Sequence, residues 1–205
     1  MPHVSSQRFA GLAVVTASTL SLAVAASTAS GVSAVAAAGP AKTVTGSIIK
    51  RASGTLAPGS KVHSSALAGR TFTDAKHGFA LADVGQAQYP AATTNGGKTW
   101  KTDGPALHLD AAQAPLVVLN LAAASRRLIF AYGGGQVIDA TGDGGKHWYR
   151  ALFNGLSMAV TRNPQGHLVG FIDTSASGSG PGQTLQYVSK NGGHTWRLNT
   201  TVGGS

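Results

Sequence analysis

The sequence predicts an all-β protein, an array of three four-stranded antiparallel units. One eight-residue motif occurs three times, at a regular spacing of 48 residues from one copy to the next. Short apolar stretches bounded by Gly, Pro and Asn follow one another closely, which is typical of strands. No stretch after residue 38 sustains the 3.6-residue apolar period of a helix. A repeat of this length indicates equivalent units in a stacked or radial array.

The repeated motif, which we call the box, spans residues 93–100, 141–148 and 189–196. Each copy reads hydroxyl, any residue, Asp or Asn, Gly, Gly, polar residue, Thr or His, and Trp. Asn-Gly and Asp-Gly favour tight hairpin turns, and the Trp supplies a large ring to bury on the returning strand. We therefore predict a structural role, without catalysis, for the box residues Asn95, Gly97, Thr99, Trp100, Asp143, Gly145, Trp148, Asn191, Gly193, Thr195 and Trp196.

The box closely resembles the Asp-box, or BNR repeat, of β-propellers, which is found in sialidases, sortilin-type receptors and photosystem II assembly factors. Residues 72–80 are also similar to the start of a blade in the assembly-factor type of repeat. The resemblance implies a β-propeller-like array of three four-stranded blades, with each box between the third and fourth strands. It implies little about chemistry, because the box occurs in enzymes and in non-enzymes.

Residues 1–38 have the pattern of a secretory signal peptide. A short, mildly basic start is followed by a small and apolar run, and the tract ends in two A-x-A sites at residues 34–38. Thr and Ser interrupt the apolar run, so an uncleaved membrane anchor is the less favoured interpretation. The expected location is outside the cell or in the cell envelope, with no membrane span after the signal.

The remaining chain divides into a linker, residues 39–54, and three blades near residues 55–108, 109–156 and 157–205. Within the linker, residues 43–49 alternate as a lone strand would, although a plain linker fits them too. The strands predicted in the blades span residues 65–72, 78–82, 87–94, 100–102, 116–122, 128–132, 136–140, 149–153, 157–161, 168–172, 184–189 and 197–202.

Three blades are fewer than the about four to eight of closed propellers. The array is therefore expected to stay open, to close by self-association, or to be a remnant of a longer one. A homodimer would supply six blades and cover apolar end faces. Alternatively, the strand within residues 43–49 covers an exposed edge or caps one end.

Composition limits the partners. Without residues 1–38 the chain has 15 Lys/Arg and 7 acidic residues, a net charge of +8, and it contains no Cys for disulfides. Scattered positive charge suits an anionic cell-envelope polymer, or serves solubility alone. Basic residues interleaved with exposed aromatic residues are not evident, so nucleic acid is not an expected partner.

The residue types required for catalysis are largely missing. The chain has no Glu, whereas sialidases pair a Tyr nucleophile with a Glu, and the Arg-Ile-Pro type of motif of that family is absent. The His residues show no metal-binding spacing, although distant His could still assemble a site. We therefore expect no catalytic, cofactor-binding or metal-binding residues and no cofactor.

The favoured function is a secreted, non-enzymatic binding or assembly protein whose blade loops contact a protein or a cell-envelope glycan. The alternative is a glycan-processing enzyme or a divergent exo-α-sialidase relative.

Overall fold

The computed structural model describes residues 40–109, 116–175 and 182–202, and all of them belong to one compact unit. The predicted signal peptide lies outside the described residues. The described chain forms three antiparallel sheets, none of which closes on itself. In chain order the strands are β1 (Thr43–Thr45), β2 (Ser47–Ile48), β3 (Lys61–Val62), β4 (Leu67–Phe72), β5 (Gly78–Val84), β6 (Ala87–Thr93), β7 (Trp100–Thr102), β8 (His108–Leu109), β9 (Val118–Ala123), β10 (Ile129–Gly134), β11 (Val137–Thr141), β12 (Tyr149–Leu152), β13 (Leu156–Arg162), β14 (Leu168–Asp173), β15 (Thr184–Ser189) and β16 (Thr195–Val202).

Each sheet is built from four consecutive strands of one repeat. Sheet 1 has the order β3-β7-β6-β5-β4, with β8 also pairing with β6; sheet 2 has the order β2-β12-β11-β10-β9, and sheet 3 the order β1-β16-β15-β14-β13. The box lies between the third and fourth strands of each repeat. The first strand of each repeat, β4, β9 or β13, forms one edge of its sheet.

The N-terminal segment adds an outer strand to all three sheets. β1 pairs with β16, β2 with β12, and β3 with β7, all antiparallel. Between β1 and β2, the backbone N–H of Gly46 donates to the carbonyl of His194 at 2.8 Å, where the chain passes from sheet 3 to sheet 2. The sheets therefore contain five or six strands, not the four predicted, because the repeats leave an outer edge that this segment pairs.

Two apolar cores join the sheets. Between sheets 1 and 2, Leu81 packs in one cluster with Ile129 and Trp148. Between sheets 2 and 3, Ile138 and Trp196 belong to a second cluster. Trp148 and Trp196 therefore each lie in the core shared with the preceding sheet, and both are fully buried.

Among the described residues no sheet precedes sheet 1, and the N-terminal segment covers the corresponding face. Trp100 clusters there with Val62, and Leu56 packs against this cluster. The backbone N–H of Leu56 donates to the Tyr89 hydroxyl at 3.0 Å. The ring of Phe72 meets that of Trp100 edge-on, with 6.0 Å between their centroids. One end of the array is thus capped from within the chain.

Candidate functional site

The three boxes form the same hydrogen-bonded turn. In the first, the Thr93 hydroxyl donates to Asn95 Oδ1 at 2.9 Å and accepts the backbone N–H of Gly97 at 3.0 Å. Asn95 Oδ1 also accepts the backbone N–H of Thr99 at 3.0 Å. These bonds satisfy the polar groups of the turn locally.

The other two boxes repeat these contacts with different side chains. The Thr141 hydroxyl donates to Asp143 Oδ1 at 2.9 Å, and the Ser189 hydroxyl donates to Asn191 Oδ1 at 3.1 Å. The backbone N–H of Gly145 donates to the Thr141 hydroxyl at 3.1 Å, and the backbone N–H of Gly193 donates to the Ser189 hydroxyl at 2.9 Å. In the third box Asn191 Oδ1 also accepts the backbone N–H of Thr195, at 2.9 Å.

The indole N–H groups distinguish the middle box from its neighbours. Trp100 and Trp196 each donate to a Gly carbonyl of their own box, at 3.1 and 2.9 Å. Trp148 instead donates to the carbonyl of Asp103, in the chain that leaves sheet 1, at 2.9 Å. At Gly104 a Cβ would lie 2.5 Å from Trp148 Nε1, so the close approach requires glycine there. The middle Trp therefore fastens sheet 2 to sheet 1.

Basic side chains collect at the end of the array where the boxes lie. This basic end comprises the boxes and the turns that join the first and second strands of each repeat, β4 to β5, β9 to β10 and β13 to β14. Its cations are Lys76, Lys98, Arg126, Arg127, Lys146 and Lys190. Its carboxylates are Asp74 and Asp143. Because neighbouring cations focus a field over a surface, this end attracts anions.

The opposite end has the reverse character. Its described loops, residues 85–86, 135–136, 153–155, 174–175 and 182–183, contain no Lys or Arg. Asp83 and Asp173 lie close to these loops. The net positive charge is therefore distributed unevenly along the strands, which composition alone could not reveal.

Both carboxylates of the basic end are held by histidines. Asp74 Oδ1 lies 2.8 Å from His77 Nδ1, and Asp143 Oδ2 lies 2.6 Å from His147 Nδ1. The backbone N–H of Lys76 and bonds from His77 lower the pKa of Asp74 to about 2. Burial acts to raise the pKa of Asp143, but bonds from His147 and Thr141 lower it on balance. Both carboxylates therefore stay ionised at neutral pH and offset only part of the positive charge.

A cleft of about 490 Å³ opens between sheet 1 and the middle box. Lys101, Asp103 and Lys146 contribute to its lining. Burial raises the pKa of the Asp103 carboxyl to about 7, and repulsion from Asp143 adds to the shift. Within the described chain no cation forms an ion pair with Asp103. A half-buried carboxyl that shares a cleft with two lysines can exchange a proton near neutral pH.

A second perturbed carboxyl, Asp139, is fully buried and structural. Arg150 donates to it twice, from Nε to Oδ1 at 2.8 Å and from Nη2 to Oδ2 at 2.7 Å. Arg150 Nη2 also donates to the carbonyl of Leu107. Burial raises the pKa of Asp139 to about 6, while the bonds and charge of Arg150 oppose the shift. The Asp139 carboxylate is thus paired inside the protein, where it joins β11 to β12.

Metal and membrane features are not found in the described residues. No group of three or more His, Asp or Glu side chains is placed to hold a metal ion there. No helix of the described chain is long and apolar enough to cross a membrane. Comparison with protein-family models, with curated proteins and with solved structures finds no match.

The Asp103 cleft and the Asp139–Arg150 pair were not predicted from the sequence. Each of these two features brings together residues that are distant in the sequence, so no short motif identifies it. The basic end does have a signal in the sequence, because each of the three boxes contains one lysine. Lys98 and Lys146 follow the second Gly of their boxes, and Lys190 precedes the Asn of the third box. Because the box turn places these lysines at one end, their alignment predicts the charge asymmetry.

Proposed function

We propose that the protein is a secreted, non-enzymatic binding protein of β-propeller type, with three blades, that holds an anionic polymer of the cell envelope at its basic end. The observation that carries the proposal is the charge asymmetry. Six Lys and Arg side chains lie at the box-bearing end, and the described loops of the opposite end contain none. Such a surface raises the local concentration of a polyanion and speeds its association, and salt weakens both effects.

The structure of the boxes supports a binding role without catalysis. Their side chains are engaged in turn hydrogen bonds, so the boxes act as rigid supports for the exposed lysines beside them. The histidines His77 and His147 each contact a carboxylate, as a catalytic base would. Neither pair includes a Ser or Cys within hydrogen-bond distance of the ring in the described structure, so neither supports a nucleophile.

A binding assay with matched variants tests the proposal. Lys98→Gln with Lys146→Gln removes two exposed charges from the basic end, and Lys42→Gln with Lys61→Gln removes two exposed charges from the outer edge. Immobilised hyaluronan is the anionic probe, and dextran is the neutral control. We expect Lys98→Gln with Lys146→Gln to weaken hyaluronan binding much more than Lys42→Gln with Lys61→Gln does. The same double variant should also make the remaining binding less sensitive to salt. Equal losses in both pairs, or equal binding to dextran, would contradict the proposal.

The alternative, a glycan-processing enzyme, is tested on the same preparation. A panel of fluorogenic glycosides, including an α-sialoside, is incubated with the protein across pH 4 to 8. We expect no turnover above the buffer blank. Robust turnover that is abolished in Asp103→Asn would overturn the non-enzymatic proposal and place the acid in the cleft between sheet 1 and the middle box.

A further inference from the structure

The outer face of sheet 3, which is turned away from sheet 2, carries a groove of about 730 Å³. Side chains of β14, β15 and β16 form its floor, and the turn at residues 163–167 and the third box form its walls. The volume lies within the range of ligand-binding pockets, about 300 to 1,000 Å³. The groove reaches the basic end at Lys190, which belongs to both.

The repeat shows that this face differs from its counterpart in sheet 2. Ile138, Ala140 and Ala151 are fully buried on the face of sheet 2 that packs against sheet 3. The residues 48 positions further on are Gln186, Val188 and Asn199.

Two of these three apolar positions thus carry amides in sheet 3. Apolar side chains are what a further packed sheet requires, because burying an amide without a partner is costly. The outer face of sheet 3 is therefore built to stay in contact with water or with a polar ligand.

The polar groups of the groove are only partly satisfied by the protein. Asn199 Nδ2 donates to Gln186 Oε1 at 2.7 Å, which links β16 to β15. The amide nitrogen of Gln186 and the carbonyl oxygen of Asn199 have no partner among the described residues. The N–H groups of Gln186 and the carbonyl oxygen of Asn199 therefore remain available to a ligand, and sugar hydroxyl groups can bond to both donors and acceptors.

The charge of the groove is wholly positive. Lys190 and Arg197 contribute to its lining, and neither forms an ion pair with a carboxylate of the described chain. No Asp lies among the lining residues. Arg197 is opposite Val188 in the β15–β16 register, and Lys190 lies two residues after Val188, just beyond the end of β15. The two cations therefore follow the direction of the strands, as successive anionic groups of a chain-like ligand would.

We propose that this groove binds a segment of an anionic polysaccharide. Arg197 and Lys190 contact its carboxylate or phosphate groups, and the amides of Gln186 and Asn199 contact its hydroxyl groups. A guanidinium makes paired hydrogen bonds to a carboxylate or to a phosphate, so a polymer that carries either group fits the site. The inference rests on the proposed function and adds to it the place where the polymer is recognised, with the rest of the basic end attracting the chain.

Calorimetric titration of the purified full chain with short oligomers tests the groove. The probes are a hyaluronan octasaccharide, a glycerol phosphate oligomer and a neutral malto-oligosaccharide. The groove variants are Arg197→Gln, and Gln186→Ile combined with Asn199→Ala, which installs the residues found at these positions in sheet 2. The comparison variant is Lys98→Gln with Lys146→Gln, and near-ultraviolet dichroism checks that each variant is folded.

We expect at least one anionic oligomer to bind, with the stronger of the two identifying carboxylate or phosphate as the natural group. Arg197→Gln should weaken its binding about tenfold or more, as expected for a lost charge-assisted hydrogen bond. The double amide variant should weaken binding while leaving the salt dependence unchanged, which separates hydroxyl recognition from attraction of charge.

Other results would overturn the inference. If the groove variants bind like the wild type while Lys98→Gln with Lys146→Gln binds less, the basic end binds the polymer and the groove does not. If no anionic oligomer or polymer binds, the proposed function fails as well. If the neutral oligomer binds as well as the anionic ones, the groove recognises a neutral glycan. If the protein forms reversible dimers that Arg197→Gln dissociates, the groove binds a second copy of the chain.

Discussion

Replacing Asp103 by Asn should change how the stability of the protein depends on pH. The carboxyl lies against the middle box, where a Cβ on Gly145 would be 2.7 Å from its Cγ and Oδ2. Burial first, and Asp143 second, raise its pKa from 3.8 to about 7. In this window the folded protein holds a proton that the unfolded chain has released. The contribution of Asp103 to stability therefore falls as pH rises from about 4 to about 7 and is constant above that.

The size of the effect follows from the shift. Each pH unit within the window corresponds to ~1.4 kcal/mol, so roughly three units set an upper limit of about 4 kcal/mol. The cleft is open to water, which screens part of this, and we expect about 2 kcal/mol. Asn carries no charge at any of these pH values. The variant should match the wild type near pH 4 and exceed its free energy of unfolding by about 2 kcal/mol at pH 8.

Urea unfolding followed by Trp fluorescence at pH 4, 5, 6, 7 and 8 measures this difference directly. Asp173→Asn is the control, because a hydrogen bond from the backbone of Ser175 lowers the pKa of Asp173. Asp173 therefore stabilises the fold above its unfolded pKa, and that contribution is lost as pH falls through the folded value. A difference between Asp103→Asn and the wild type that stays constant from pH 4 to pH 8 would refute the reasoning.

Three further predictions concern packing and assembly. Trp148→Ala should lower the free energy of unfolding by about 3–5 kcal/mol, and more than Trp100→Ala, because Trp148 lies between two sheets; an equal loss in urea unfolding would contradict this. Thr141→Val should cost about 1–3 kcal/mol by leaving the Gly145 N–H unpaired, while Thr94→Val, at the exposed second position of a box, should cost less than ~0.5 kcal/mol. Light scattering across a dilution series should give the mass of one chain, because the described end faces are capped or polar; a dimer that persists at micromolar concentrations would favour the homodimer expected from blade count.

Strand limits were predicted best where turn-forming residues flank a short apolar stretch. The strand predicted at residues 184–189 matches β15, and the one at residues 168–172 matches β14 within one residue. The Asn and Gly residues of the flanking turns set most of these limits locally, so distant contacts were not needed to predict them. The burial of the three Trp also follows from their place after a tight turn.

The outer strands could not be predicted in the same way. β3 has two residues, and only its pairing with β7 makes it a strand. The single strand expected at residues 43–49 is divided at Gly46, because the chain changes from one sheet to another there. In the candidate site, the polar face of sheet 3 could have been found by comparing residues 48 positions apart. The raised pKa of Asp103 could not, because it depends on burial by another repeat.

The N-terminal strands have a consequence for how the chain folds. β1 pairs with β16, and the Tyr187 hydroxyl donates to the carbonyl of Ala41 across 146 residues of sequence. Contacts of such long range make folding slow, because the loop must close before they stabilise anything. During synthesis β1 has no partner until residues 195–202 have been made. The pairing of β1 thus waits until β16 has been synthesised, and removal of β16 should leave both β1 and the edge of β15 unpaired.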